Sequence, residues 1–134
     1  MEELILAVEA RSAEEITKHG KGPGTRWVFS DNRNNPGGNI YVAARGVDNV
    51  DRPETHVEAH RHAFESLFLF KGDGPDLTGL VAEVQLDDRW ERIESPRAVR
   101  IPAGMSHSYR FVSGSGEMWN IVLTPGADYN KTAR

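Results

Sequence analysis

One stretch limits the folds open to this chain more than any other: a histidine-rich segment, residues 55–65, that runs directly into an apolar one. Its alternate positions carry His56, Glu58, His60 and His62. Alternate side chains of an extended strand leave from the same face, so these four predict one polar strand face. The next segment, residues 66–70, is the apolar run of a strand buried on both faces. A polar face beside such a strand indicates a site, because buried polar groups need partners.

The side chains on this face are those that bind metals. Imidazole and carboxylate groups are ligands of borderline divalent metals, and His60 and His62, two positions apart, can converge on a single ion. The chain contains no cysteine. This excludes disulfides, thiolate metal sites and cysteine nucleophiles, and it leaves histidine and carboxylate as the strong ligands.

Around this segment the sequence predicts an all-β protein. The predicted strands are residues 26–29, 40–45, 66–70, 77–86, 90–93, 97–101, 107–112 and 118–123, with a short strand or arm at 4–8. Residues 31–39 are dense in turn formers, and residues 113–116, Ser-Gly-Ser-Gly, predict a hairpin loop. A capping box at 12–15 predicts a short helix ending before Gly20. Many short strands separated by turn residues are typical of a sandwich or barrel.

Composition excludes several functional classes. A chain of 134 residues with 27% charged side chains predicts one soluble globular domain. The net charge is −4 and the basic residues are scattered, which argues against nucleic-acid binding. The apolar start is short and acidic, so it predicts neither a signal peptide nor a membrane span. We therefore expect a cytoplasmic protein.

Two motifs carry a resemblance to a known family. The first is a pair of histidines one residue apart, then a glutamate, then six residues and a glycine: His60, His62, Glu65 and Gly72. The second is Pro-x-Gly-x-x-His, which is intact at residues 102–107. In these motifs the sequence resembles the cupin superfamily, over roughly residues 38–125. The resemblance implies a single cupin domain over 1–134, folded as a jelly-roll β-barrel with at most a short N-terminal helix.

The resemblance also implies a metal centre. In metal-binding cupins the two histidines, the glutamate and the histidine of the second motif hold one divalent ion inside the barrel. Here this implies His60, His62, Glu65 and His107 as ligands of one transition metal, Fe, Mn, Ni or Zn. Only two residues separate His62 from Glu65, whereas the cupin pattern usually has three or four, so Glu65 requires a break in the alternation. Glu58 needs no such break and remains the alternative carboxylate.

The neighbours of the predicted ligands suggest the character of the pocket. Tyr109 and Phe111 share the strand face of His107, and Tyr109 is a candidate catalytic acid. Leu67 and Leu69 share the parity of the first-motif glutamate, so they too are predicted to point inward. Such a pocket is largely apolar, which favours small keto, enol or carboxylate compounds over neutral sugars.

Two further side chains are candidates for the interior. Tyr41 and Arg45 share one face of their predicted strand, and an arginine inside the barrel would suggest an anionic substrate.

Two functions of different class remain open from the sequence. The first is a metalloenzyme acting on a small organic molecule, of dioxygenase, isomerase, lyase or cyclase type. The alternative is a non-catalytic module that binds a sugar or small metabolite in the same pocket, because the fold does not decide between them. The resemblance, together with the exposed edges of an open jelly roll, predicts a homodimer. We expect a small-molecule ligand and neither nucleic acid nor membrane as partner.

Overall fold

The structure, a computed structural model, describes residues 4–11, 25–54 and 59–123. Eight strands lie in this part of the chain: β1 (Glu9–Arg11), β2 (Arg26–Ser30), β3 (Ile40–Val50), β4 (Ser66–Gly72), β5 (Leu80–Leu86), β6 (Arg89–Glu94), β7 (Arg97–Ile101) and β8 (His107–Leu123). One 3-10 turn, Pro75–Leu77, joins β4 to β5. No helix in the described ranges has the length and hydropathy needed to cross a bilayer.

The strands form two antiparallel layers that share one strand. One layer has the order β1-β2-β3-β8-β4-β7, and β5 pairs with both β6 and β8. The first part of β8 pairs with β5, and its later part lies between β3 and β4. The shared strand closes the layers around one interior, which is the arrangement of a jelly-roll barrel. This confirms the predicted all-β jelly-roll fold.

The bend of β8 corrects one prediction. Residues 113–116 are not a hairpin loop, since the strand runs unbroken from His107 to Leu123. Gly114 has φ +97°, and a Cβ there would overlap the carbonyl oxygen of Gly79. The glycine therefore permits a bend and a close approach to the neighbouring chain. A Gly-Ser segment between two apolar stretches has the same pattern whether the chain reverses or only bends.

The alternation along β4 corrects another prediction. Phe68 and Phe70 are buried in the interior, whereas Leu67 and Leu69 are only half-buried and lie on the outer face. The two leucines share a strand face with Glu65, as predicted, but this is the outer face of the sheet and not the inner one. The regular alternation of the histidine segment does not continue into β4, because residues 63–65 form a bend and coil between them.

An aromatic and aliphatic core fills the barrel. Its largest buried members include Phe68, Phe70, Leu80, Ile101, Tyr109, Phe111 and Met118. Burial of each such side chain contributes about 1.5–3 kcal/mol to folding. The histidine cluster therefore has a rigid, closely packed wall beside it.

The two ends of the chain are only partly described. The predicted strand at 4–8 is wrong, because the strand that pairs with β2 is β1, at Glu9–Arg11. The predicted helix at 12–20 lies outside the described residues, as do His56 and Glu58.

Candidate metal centre

Main-chain pairing brings the two predicted motifs together. The amide of His60 donates to the carbonyl of His107 at 3.0 Å, and the amide of His107 donates back to the carbonyl of His60 at 2.8 Å. This reciprocal pair is an antiparallel bridge that joins the histidine segment to the first residue of β8. The ring centroids of the two histidines are consequently 4.6 Å apart.

The Pro-x-Gly turn holds the third histidine. Gly104 donates its amide to the carbonyl oxygen of His62 at 2.8 Å, within a turn closed by the Met105 amide and the Pro102 carbonyl at 3.2 Å. Gly104 has φ +83°, a left-handed conformation that a side chain would strain. The spacing of the second motif is thus explained by the turn, which clamps His62 while the chain enters β8.

The result is a compact, buried group of three imidazoles. His60, His62 and His107 are 4%, 2% and 1% exposed. Their nitrogen atoms all lie within 4.8 Å of one another. Arg61, between the first two, is exposed, so the alternation expected from the sequence holds across this pair.

A hydrogen bond sets the tautomer of His107. Its Nδ1 lies 3.0 Å from the carbonyl oxygen of Met105. A carbonyl only accepts hydrogen bonds, so Nδ1 carries the proton and Nε2 bears a lone pair. Nε2 is buried and has no hydrogen-bond partner among the described residues. A buried lone pair that faces two further imidazoles is the donor set that a divalent transition metal takes.

Burial keeps two of the three imidazoles, those of His62 and His107, uncharged at neutral pH. Burial, and then the neighbouring His60 and His107, lower the pKa of His62 from 6.5 to about 3. Burial also lowers the pKa of His107 to about 4, against the opposing effect of its bond to Met105. Since metals bind neutral imidazole, both rings are ready for ligation at neutral pH.

Glu65 does not join the three histidines. Its side chain is 51% exposed, and its Oε1 lies 3.0 Å from a guanidinium nitrogen of Arg100. The odd offset from His62 turns this carboxylate to the outer face, with Leu67 next along it. The structure thus brings three of the four predicted ligands together and leaves Glu65 outside, while Glu58 lies outside the described residues.

Aromatic rings form one wall of the group. The ring of Phe68 lies 5.7 Å from that of His107 and 5.6 Å from that of Tyr109. Tyr109 and Phe111 are both buried on the inward face of β8, as their parity with His107 predicted. The Tyr109 hydroxyl accepts a hydrogen bond from Arg26 at 3.4 Å.

Arg45 also points inward, and its charge is met by a residue that the sequence reasoning missed. Its guanidinium lies 2.5 Å from Glu54 Oε1 and 4.6 Å from the ring centroid of Phe111. The same Glu54 oxygen accepts the amide of Phe111 at 2.9 Å. The positive charge of Arg45 is therefore compensated by Glu54 within the protein. Glu54 occupies the position at which the first cupin motif begins with a glycine. This departure from the motif could have drawn attention to Glu54.

Two other interior polar groups were also missed, Ser66 and Asn120. Both are fully buried on the inward faces of β4 and β8. Asn120 could have been found from the alternation of its strand. It lies between Met118 and Val122, two apolar residues that share its strand face, so it is a polar residue on a face that otherwise predicts the core.

Comparisons with known proteins support the fold independently of the sequence motifs. No protein-family model matches the sequence, and neither does any curated protein. Solved structures do match. The polyketide cyclase RemF from Streptomyces resistomycificus aligns over 95% of this chain and 78% of its own, with a TM-score of 0.59 at 19% identity. Oxalate decarboxylase from Bacillus subtilis aligns over 93% of this chain and 31% of its own, with a TM-score of 0.59 at 14% identity.

A third match carries the fold in its name. An RmlC-like cupin from Shewanella frigidimarina aligns over 90% of this chain and 94% of its own, with a TM-score of 0.53 at 11% identity. Identities this low establish fold alone. The jelly-roll topology, the histidine pair and the Pro-x-Gly-x-x-His turn agree with these matches: the chain has the cupin fold.

Proposed function

We propose that this protein is a metal-binding cupin that acts on a small organic molecule, as a metalloenzyme of dioxygenase, isomerase, lyase or cyclase type. The observation that carries the proposal is the buried group His60, His62 and His107, in which the Nε2 lone pair of His107 has no hydrogen-bond partner among the described residues. A divalent ion is the simplest partner for such a group, because imidazole nitrogens offer lone pairs to a metal and the lowered pKa values of His62 and His107 keep these two rings uncharged at neutral pH.

Each residue has a separate task in this proposal. His60 and His62 hold the ion from the first motif, and His107 holds it from the second, oriented by the Met105 carbonyl. When bound, the metal supplies Lewis-acid or redox chemistry to a ligand that reaches it. The aromatic wall of Phe68, Tyr109 and Phe111 excludes water from that side.

Tyr109 is the proposed acid. Its hydroxyl oxygen accepts from Arg26, which leaves the hydroxyl proton available to a ligand inside the barrel. The rest of the ring packs against Phe68 and Phe111 and is held in place.

The names of the structural matches agree with part of the proposal. The solved structures of this fold include a polyketide cyclase and an oxalate decarboxylase. They support the reaction types proposed here.

Metal content provides the direct test. Protein purified without a histidine tag should carry close to one first-row divalent ion per chain. We expect His60→Ala together with His62→Ala to lose it, because two of the three donors disappear. Arg61→Ala is the matched control, since Arg61 lies between them and points outward. Full metal retention in the double variant, measured by elemental analysis, would contradict the proposal.

The same measurement of metal content tests whether Glu65 or Glu58 is the carboxylate ligand. Glu65→Gln should leave metal content unchanged, because Glu65 pairs with Arg100 on the outer face. Glu58→Gln should reduce metal content if the alternation of the histidine segment extends to that position. Loss of metal in Glu65→Gln alone would restore the original assignment.

One observation favours the alternative, a non-catalytic binding module: no carboxylate of the described residues joins the three histidines. Ligand preference separates the two functions. The enzyme should be stabilised by small keto, enol or carboxylate chelators, which bring their own oxygens to a metal beside an aromatic wall. A thermal-shift panel of such chelators and neutral sugars is sufficient. Stabilisation by sugars alone would favour the binding module.

A further inference from the structure

Two polar side chains in the barrel interior have no hydrogen-bond partner among the described residues. Asn120 is 0% exposed, and both its Oδ1 and its Nδ2 are unsatisfied. Ser66 is 1% exposed, and its Oγ is likewise unsatisfied. Buried amides and hydroxyls in folded proteins nearly always have partners, so a pair of orphans at one place needs an explanation.

The two side chains share the inward sheet face of Phe68, whose ring lies next to the histidine group. Asn120 is the register partner of Phe68, whose ring lies 5.7 Å from that of His107. Ser66 is two residues before Phe68 on the same inward face of β4. Phe68 therefore neighbours His107 through its ring and neighbours both Asn120 and Ser66 through the sheet.

The pair contributes nothing to folding that an apolar residue would not contribute better. Leucine has nearly the shape of asparagine and carries no groups that must be desolvated, so an unsatisfied Asn120 destabilises the ligand-free protein. The same groups, already desolvated and held by strand pairing, are well placed to bind a ligand.

We propose that Asn120 and Ser66 form a hydrogen-bonding subsite for the far end of the substrate, whose near end binds the metal through its own oxygens. The inference rests on the proposed function and specifies its substrate class. The subsite offers donors and acceptors without charge, and the nearby Arg45 is already neutralised by Glu54. It therefore suits a hydroxyl group on the distal side of a keto–enol chelator rather than a second carboxylate.

A matched pair of probes tests this on metal-loaded protein. Kojic acid and allomaltol share one chelating hydroxyketone end and differ by a single distal hydroxyl group, which only kojic acid has. Wild type should bind kojic acid roughly 2- to 10-fold more tightly, the range of one added hydrogen bond. Asn120→Leu should abolish this preference while metal content and allomaltol affinity stay unchanged, and Ser66→Ala should reduce it.

The outcomes separate this subsite from the metal centre. Absence of metal, or of allomaltol binding, would overturn the proposed function. Bound metal and allomaltol with no preference for kojic acid in wild type, or the same preference in Asn120→Leu, would overturn the subsite alone.

Thermal stability gives a second, independent readout. Without ligand, Asn120→Leu should raise the Tm by roughly 3–6 °C, since it removes unsatisfied polar groups. Asn34→Leu is the control of opposite sign, because the Asn34 amide donates to the carbonyls of Ala7 and Phe29, each at 2.8 Å. A fall in the Tm of Asn120→Leu like that of Asn34→Leu would show that Asn120 has a structural partner and would overturn the proposal.

Discussion

Burial changes the protonation of two residues of the candidate site, His62 and His107. Both are withdrawn from water among other imidazoles, and their pKa values fall to about 3 and about 4. In the unfolded chain each would titrate near pH 6.5. The unfolded state therefore binds more protons than the folded state between these limits, and the metal-free protein must lose stability as the pH falls through that window.

This gives a prediction for the metal-free protein. Its stability should be complete above about pH 6.5 and should decline as the pH falls toward 4, with a loss of about 2 kcal/mol for each of the two histidines at pH 5. Urea unfolding of chelator-treated protein at pH 7.5 and pH 5 measures it. His62→Gln should show a smaller loss than wild type between the two pH values. An unfolding free energy that does not change with pH would contradict the prediction.

At this scale the sequence identified the three histidines and their common environment. The pair at 60 and 62 followed from the period of a strand, and His107 followed from the resemblance of its Pro-x-Gly-x-x-His motif to that of cupins. The outward position of Glu65 did not follow, because a single residue of offset reverses a side chain between faces and the bend at 63–65 leaves no marked pattern. Asn120 was missed because an isolated polar residue in an apolar strand indicates no partner.

At the scale of elements, the strand β8 depends on glycines at its bend. Gly114→Ala should lower the free energy of unfolding by at least about 2 kcal/mol, because the new Cβ adds an overlap with the Gly79 carbonyl to the strain of a left-handed backbone. Gly37→Ala is the matched control. Gly37 has φ +80° with nothing within 4 Å of the added Cβ, so it reports the backbone strain alone.

Equal losses in the two variants, measured by urea denaturation, would show that the close approach at Gly114 is unimportant.

Most strand positions were predictable because alternation and turn residues are local signals. The continuity of β8 was not, since it depends on which neighbours the chain meets at the bend.

At the scale of the whole molecule, the outer face of the larger sheet carries two grooves with apolar and aromatic lining residues. Trp119, which is half-buried, lines both grooves. One groove, of about 570 Å³, is lined by residues that include Leu69, Leu77 and Ala98, and the other by Trp27 and Phe29 among others. An apolar groove with partly exposed side chains is typical of an interaction surface, and a surface that meets a copy of itself satisfies twofold symmetry. Lys71 and Glu117, which pair with each other at 3.5 Å, lie at the border of this face.

We propose that the homodimer forms through this face. Light scattering should give twice the chain mass of 14.9 kDa, and Trp119→Arg should give the monomer. Trp90→Arg, on the opposite sheet, is the control and should leave the dimer intact. A monomeric wild type, or a dimeric Trp119→Arg variant, would contradict this interface.

The shared strand β8 also has a consequence for the order in which the protein can form during synthesis. β3, β4 and β5 all emerge from the ribosome before β8, with which each of them pairs. Until residues 107–123 follow, these strands expose unpaired edges. The histidine group also lacks its third member, His107, until then. Closure of the barrel and assembly of the histidine cluster are therefore one late event. A nascent chain stalled before this point would present the aggregation-prone edges that chaperones bind.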